Sequence, residues 1–315
     1  MKKFICTTTI NHPTEALIKY AEMNDWTLIV AGDVNTPHDS YRKLNNTLYL
    51  HPKYQNSKYK KLSDLIGWQT IERRNFATLE AYERGADIIA LVDDDNIPLS
   101  NWGDIKVNCS ISVDVYNSNY ENINVFDPFS VTNFNHLWHR GFPIQLLKSR
   151  KTKCYTTNII PDIQANFWNG EPDVDALARI EYGKFDCKFD DSVFPFSTDN
   201  LCPFNSQNTI LSRRVIKDYF LFTGIGRMSD IWAAYYTIAK GYKIIYDSPS
   251  VYQKRNEHDI VRDLSNELLG YKESNNLIED LSTKNNIDDV IKNYLPENSM
   301  EAFYEYKNII AKIGE

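Results

Sequence analysis

Ile88 to Val92 is an unbroken run of five apolar residues, and three aspartates, Asp93, Asp94 and Asp95, follow it without a spacer. An apolar run of this length predicts a short strand buried on both faces, as in a parallel α/β sheet. Three adjacent anions repel one another unless a cation or a donor-rich loop compensates them. Ligands bind at the strand ends of open α/β sheets. Hard oxygen ligands in that place suit Mg²⁺ or Mn²⁺ carrying a phosphate-bearing substrate. The competing reading is a solvated acidic turn, but such turns are seldom triple and seldom flush with a buried strand.

The flanking pattern agrees with a sheet of this kind. Strands are expected over Phe4–Ile10, Trp26–Ala31 and Leu48–Leu50, with a helix capped by Thr14 running to about Asn24. A second helix is expected over about Thr70–Arg84, with Phe76, Leu79 and Tyr82 turned inward and Gly85 ending it. Residues 101–191 are irregular, rich in Asn, Asp and Pro. Later elements are a strand over Thr209–Leu211, a helix over Asp230–Lys240 and a strand over Tyr242–Tyr246. The tail is charged and helical, with Leu264, Leu268, Leu269, Ile287, Val290, Ile291 and Tyr294 at amphipathic spacing. The expected organisation is a catalytic domain over 1–255 and a helical extension over 256–315.

Composition narrows the function classes. Apolar residues make up 42 % of the 315, enough for a full core, so disorder is not expected. The net charge of −7 and the lack of a long basic run speak against nucleic-acid binding. The five cysteines are scattered, odd in number and without metal-site spacing, which predicts reduced thiols and a cytoplasmic setting. No signal peptide or membrane-spanning stretch is expected, so any membrane contact would be peripheral.

Four segments then occur in order around the acidic strand. They are Ile66-Gly67-Trp68-Gln69-Thr70-Ile71-Glu72-Arg73-Arg74-Asn75, His139-Arg140-Gly141-Phe142-Pro143, Asn169-Gly170-Glu171-Pro172-Asp173-Val174-Asp175-Ala176 and Gly226-Arg227-Met228-Ser229-Asp230-Ile231-Trp232-Ala233. With the Asp93–Asp95 triplet, this series resembles the STELLO-like GT-A glycosyltransferases. More distantly it is similar to the plant reversibly glycosylated polypeptides that act as UDP-arabinopyranose mutases. The resemblance spans roughly residues 4–260 and implies a GT-A-type nucleotide-sugar-binding fold: Rossmann-like, with a mostly parallel central sheet, flanking helices and, here, C-terminal helices.

The resemblance implies a metal-dependent transferase that moves a sugar from a nucleotide sugar, foremost a UDP-sugar, to a glycan or other hydroxyl acceptor, as in polysaccharide biosynthesis. A divalent ion, Mn²⁺ or Mg²⁺, bridging the two phosphates would stabilise the charge that develops on the leaving group. Asp93 and Asp95, two apart in an extended segment, can point the same way. By analogy Asp95 is the direct ligand, Asp93 reaches the ribose or the metal through water, and Asp94 either joins the donor contacts or is structural. The family fold places Thr8, Thr9 and Asp33 by the base and ribose, although a strand followed by a polar turn explains them equally. Arg73 and Arg74 stand at a helix start, where a cation gains nothing from the macrodipole. That misfit favours a nearby diphosphate over an ordinary surface charge.

Asp230 matches the family's late acidic motif and becomes the candidate general base, against the simpler reading of a helix N-cap. Asp173 and Asp175 are either sugar contacts or solvated loop acids. His258 is a candidate further metal ligand and Arg255 a candidate diphosphate contact, although the plant-mutase histidine falls earlier, where this chain has Gln253. Arg140 matches the arginine that carries the transient sugar in the plant mutases, so a UDP-sugar pyranose–furanose mutase or self-glycosylating protein is the alternative activity. A third alternative, from another class, is a non-catalytic regulatory subunit of a polysaccharide synthase.

Overall fold

The structure, a computed structural model, describes residues 1–118, 120, 123–255 and 259–314. Its first part runs β1 (Lys3–Thr9), α1 (Glu15–Ala21), β2 (Thr27–Gly32), α2 (His38–Tyr41), β3 (Thr47–Leu50), α3 (Pro52–Lys58), α4 (Lys60–Ile66), α5 (Arg74–Glu83) and β4 (Ile88–Val92). Strands β3, β2, β1 and β4 lie side by side and parallel. Every residue of β4 is buried, as its apolar run predicts. Thr14 caps α1, its hydroxyl accepting from the Leu17 amide at 3.3 Å. Phe76 and Leu79 of α5 are buried where that helix packs on β1 and β2.

Two local features depart from the sequence pattern. The helix expected from Thr70 opens instead as a 3₁₀ turn over Ile71–Arg73, and α5 begins at Arg74. Helices α3 and α4 fall where no helix is expected. They bury only Pro52 and Gln55, and Leu62, Ser63 and Ile66, so an apolar stripe of helical period never stands out in their sequence.

The second part comprises β5 (Asn96–Pro98), β6 (Ile111–Ser118), β7 (Thr152–Ile159), β8 (Ile163–Gly170), α6 (Ala176–Tyr182), β9 (Phe196–Ser197), β10 (Asn208–Ser212), α7 (Ser229–Ala239) and β11 (Ile244–Gln253). The sheet order is β3-β2-β1-β4-β10-β8-β11-β9-β6-β7, with β5 paired to β11. The chain is therefore an α/β protein with one large mixed sheet, flanked by helices and compatible with a Rossmann-like fold. It is parallel through its first four strands and between β8 and β11, and antiparallel where β10 joins β4 to β8. β11 continues well past Tyr246 because a register shift between Asp247 and Val251 absorbs the polar Asp-Ser-Pro-Ser segment, which by composition reads as a loop.

The tail forms α8 (Ile260–Thr283), α9 (Ile287–Lys292) and α10 (Glu297–Gly314). Leu277, Ile278, Val290, Ile291, Phe303 and Tyr306 are buried in the same core as the sheet and its helices. The first half of α8 differs from the expected apolar stripe: Leu268 is exposed, while Asp263, Glu267, Gly270 and Ser274 face inward. The reason is what it packs on. The loop before α7 comes so close that a Cβ on Gly226, at φ +59°, would lie 2.4 Å from the Asn266 carbonyl oxygen. That loop presents an arginine to α8. Among the described residues no helix is long and apolar enough to cross a membrane.

Candidate functional site

A two-lobed cleft opens at the carboxyl ends of β1, β2 and β4. The smaller lobe, about 300 Å³, is walled by Thr8, Thr9, Asn11, Asp33, Arg74 and Asp94. The larger, about 480 Å³, is walled by Glu72, Arg140, Gln207, Arg227, Asp230, Gln253 and Arg255. Gln69, Thr70, Ile71, Asp93 and Asp95 line both and form the saddle between them. A further hollow of about 280 Å³, beside Thr14 and Lys254, also reaches Asp94, Asp95 and Arg255. Asp95 thus borders all three spaces.

The three aspartates do different work. Asp94 accepts from the Thr9 hydroxyl at 2.5 Å and from Asn11 Nδ2 at 2.8 Å, and its carbonyl accepts from the Thr14 hydroxyl. It ties the end of β4 to the entry of α1. Asp93 pairs with the buried Arg74, which also donates to the Ser206 hydroxyl and, at 2.6 Å, to its carbonyl. Burial pushes the Asp93 carboxyl up, against the pull of Arg74. Asp95 is half-buried at the saddle, its carbonyl accepting from the Lys254 amide at 3.1 Å.

Among the described residues no group of three or more His, Cys, Asp or Glu is arranged to hold a metal ion. A dedicated all-protein metal cage therefore does not fit. An Mg²⁺-type ion shared with substrate phosphates needs only one or two carboxylates and keeps several waters. Asp95, with Asp93 beside it, fits that mode. His258, the third expected ligand, lies outside the described residues.

In the smaller lobe the expected base and ribose contacts are already engaged. Thr8 donates to the Ala31 carbonyl at 2.7 Å, and Thr9 holds Asp94. Asp33 accepts from the amides of Gln69 at 2.7 Å, Thr70 at 3.3 Å and Val34 at 2.5 Å. These side chains knit the strand ends to the loop before α5, and Gln69 is held there at φ +61°. They shape the lobe's wall.

Arg73 corrects the expectation of a phosphate contact. It is fully buried, borders neither lobe, and donates to Ser63 Oγ at 3.0 Å, the Gly67 carbonyl at 3.1 Å and Gln55 Oε1. Its guanidinium stacks on Trp68 and Phe76, 3.6 and 4.1 Å from the ring centroids. The cation that gained nothing from the helix dipole is satisfied by carbonyls and aromatic faces instead. Arg74 does border the smaller lobe, but its charge serves Asp93.

Arg140 lies between two carboxylates. It forks onto Asp173 at 2.8 and 2.9 Å, reaches Asp230 at 3.0 and 3.1 Å, and donates to the Arg227 carbonyl. These bonds use every N–H of the guanidinium. Asp230 is therefore not an N-cap: it stands in the first turn of α7, and Ser206 N–H donates to it at 3.1 Å. Asp173 and Asp175 are not solvated loop acids, because both are buried. Arg140 holds the Asp173 carboxyl well below the usual range against the cost of burial. Asp175 caps α6 and accepts from the Trp138 indole at 2.7 Å, while burial pushes its carboxyl up to about 6. Three of the four motif segments thus meet at one guanidinium.

Helix α8 stands behind the larger lobe and holds two of its arginines through inward acids. Glu267 binds Arg227 at 2.7 Å and the Ala176 amide at 2.7 Å, and Asp263 meets Arg255 at 3.2 Å and Arg227 at 3.5 Å. Both arginines border the larger lobe. Arg255, the expected diphosphate contact, borders the larger lobe and the hollow beside Thr14, and Arg227 borders the larger lobe with it.

Glu72 has no sequence signal of its own beyond standing in the motif before α5. It is 4 % exposed on the 3₁₀ turn and borders the larger lobe. Burial pushes its carboxyl up to about 7, with the Asp230 charge adding to the rise and Arg74 opposing it. The only available cue was a charged residue at the start of a helix whose next two residues are arginines.

No protein-family model matches this sequence, and no curated protein matches it. The motif resemblance stands on its own residues.

Proposed function

We propose that this chain is a metal-dependent glycosyltransferase of GT-A type that uses a nucleotide sugar, foremost a UDP-sugar. The observation that carries the reading is the place of Asp95: an acidic residue at the saddle between two unequal lobes, at the carboxyl ends of parallel strands. A nucleoside fits the lobe walled by β1 and β2. The diphosphate falls at the saddle, where Asp95 and Asp93 would share a divalent ion with the phosphates. The sugar and its acceptor take the larger lobe, with Arg227 and Arg255 offsetting the phosphate charge. The bound ion would supply charge neutralisation of the departing diphosphate. The chain's own residues orient the donor and close the wall of the lobe.

The geometry gives the mutase alternative little support. A sugar-carrying arginine needs a free nitrogen, and all the donors of Arg140 are engaged by Asp173, Asp230 and the Arg227 carbonyl. The test is a thermal-shift panel of UDP-, GDP-, CDP- and dTDP-sugars with and without Mn²⁺. A native-state ligand at 100 times its Kd stabilises by about 2.7 kcal/mol. A rise in Tm that requires both sugar nucleotide and Mn²⁺ supports the reading, and no rise with any donor ends it.

A further inference from the structure

We propose that Glu72 is the general base of the transfer, removing the proton from the acceptor hydroxyl in the larger lobe. This rests on the glycosyltransferase reading and adds the residue that performs its proton step. Four carboxylates border that lobe: Glu72, Asp93, Asp95 and Asp230. Asp93 is paired with Arg74 and Asp230 with Arg140, while Asp95 stands at the saddle. Glu72 is buried, and among the described residues no ion pair is made to it. An acid placed like this costs stability, because a buried charge without a cation is poorly solvated. Such costs are typical of functional positions.

The backbone around Glu72 is fixed from both sides. Asp33 holds the amides of Gln69 and Thr70, Arg73 is clamped by Gln55, Ser63 and Gly67, and Arg74 by Asp93 and Ser206. The turn that carries Glu72 along the lobe is thereby held in place on both sides, which is the preorganisation a proton acceptor requires. The charged groups around it are Arg74 and Asp230, which act on it directly, and Asp93, Asp95, Arg140, Arg227 and Arg255 along the same lobe. Their balance and its burial leave Glu72 with an affinity for protons suited to exchange near neutral pH. Asp230, the base implied by the motif, is poorly placed for that role. Two bonds from Arg140 and two from Ser206, one from its amide and one from its hydroxyl, already engage both of its carboxylate oxygens.

The step balances as a single displacement. The acceptor oxygen forms a bond to the anomeric carbon as the bond from that carbon to the diphosphate oxygen breaks. The leaving electron pair stays on the nucleoside diphosphate, and the acceptor proton moves to a Glu72 carboxylate oxygen and then to solvent. The anomeric configuration inverts.

The experiment compares wild type, Glu72→Gln and Glu72→Asp. Donor binding is read by thermal shift with the same sugar nucleotides and Mn²⁺, and nucleoside diphosphate release is followed from pH 5 to 9 with water and with glycerol as acceptor probes. Wild-type release should rise with pH to a plateau, with its midpoint near 7. Glu72→Gln should keep the donor-induced shift, lose about 10²-fold or more in rate, and lose the pH dependence. Glu72→Asp should keep that dependence at a reduced rate, and it carries the test if the Gln variant does not fold. A Gln variant within threefold of wild type, one that keeps the acidic limb, or one that no longer binds donor overturns the proposal. So does a wild type that binds donor yet releases nothing with either probe. If no sugar nucleotide shifts any of the three proteins, the glycosyltransferase reading itself falls, and the base falls with it.

Discussion

Arg140 and Asp173 meet in a buried bidentate pair, Nε donating to Oδ1 at 2.8 Å and Nη2 to Oδ2 at 2.9 Å. Asn205 Nδ2 adds a third donor to Asp173 at 2.9 Å, and Asp230 takes the other edge of the guanidinium. The pair fastens the loop before residue 143 to the loop after β8 and to the start of α7. Arg140 and the stretch from Gly224 to Asp230 wall one side of the larger lobe, so that side's shape depends on an interaction that does not itself need to touch substrate.

Arg140→Ala should therefore cost on the order of 3–5 kcal/mol, since it leaves two buried carboxylates without their cation. Arg140→Lys should not restore the loss, because an ammonium cannot reproduce the fork. Urea unfolding of the two variants checks this, and a cost below about 1 kcal/mol for the alanine variant would contradict the structural role. Loss of activity in that variant is then no evidence for a sugar-carrying arginine.

Asp95→Asn should leave the fold intact and abolish the part of donor-induced stabilisation that depends on Mn²⁺. Asp93→Asn should behave differently. It weakens the counter-charge of the fully buried Arg74, so the free protein itself should lose on the order of 2 kcal/mol or more. Melting curves of both variants, with and without UDP-sugar and Mn²⁺, separate the two effects. Equal Mn²⁺-dependent shifts in wild type and Asp95→Asn would remove Asp95 from the metal site.

The half of the sheet that carries the acidic triplet was legible because local signals and tertiary burial agree there. β4 is apolar and buried on both faces, and Thr14 is both a good cap residue and the cap. Elsewhere the decisive contacts are distant in sequence. Glu267 turns inward on α8 because Arg227, 40 residues earlier, is waiting for it. The charged face that reads as solvent-exposed is the buried one. Arg73 and Arg74 are adjacent and chemically identical, yet one stacks on aromatic rings and the other serves Asp93. No periodicity distinguishes them, since the difference arises from what the 3₁₀ turn brings to each side. Glu72 was illegible for the same reason.

Arg73 should accordingly affect stability alone. Arg73→Met keeps the stem between Trp68 and Phe76 but leaves the Gln55 and Ser63 acceptors unmet, each worth about 1–3 kcal/mol when buried. Its unfolding midpoint should fall clearly. The Tm increment from saturating sugar nucleotide and Mn²⁺ should match wild type. A selective loss of donor affinity would instead return Arg73 to the phosphate site.

Glu72→Gln should be more stable than wild type at alkaline pH and indistinguishable from it in acid. The folded-state value of about 7 lies above the ordinary 4.5, so folding disfavours the carboxylate and favours the acid. Below the unfolded value Glu72 is protonated in both states and imposes no penalty. Between 4.5 and 7 the unfolded chain ionises first, and the wild type loses stability as pH rises through that window. Above the folded value the penalty is constant, on the order of 3 kcal/mol. Glutamine never ionises and escapes it. Denaturant unfolding of both proteins at pH 5 and pH 8 should show the variant's advantage growing with pH, together with the loss of turnover expected when a residue is kept for chemistry at the expense of stability. An advantage of equal size at both pH values, or one that shrinks toward pH 8, would mean that the Glu72 carboxyl is solvated in the folded protein and has no raised proton affinity to use.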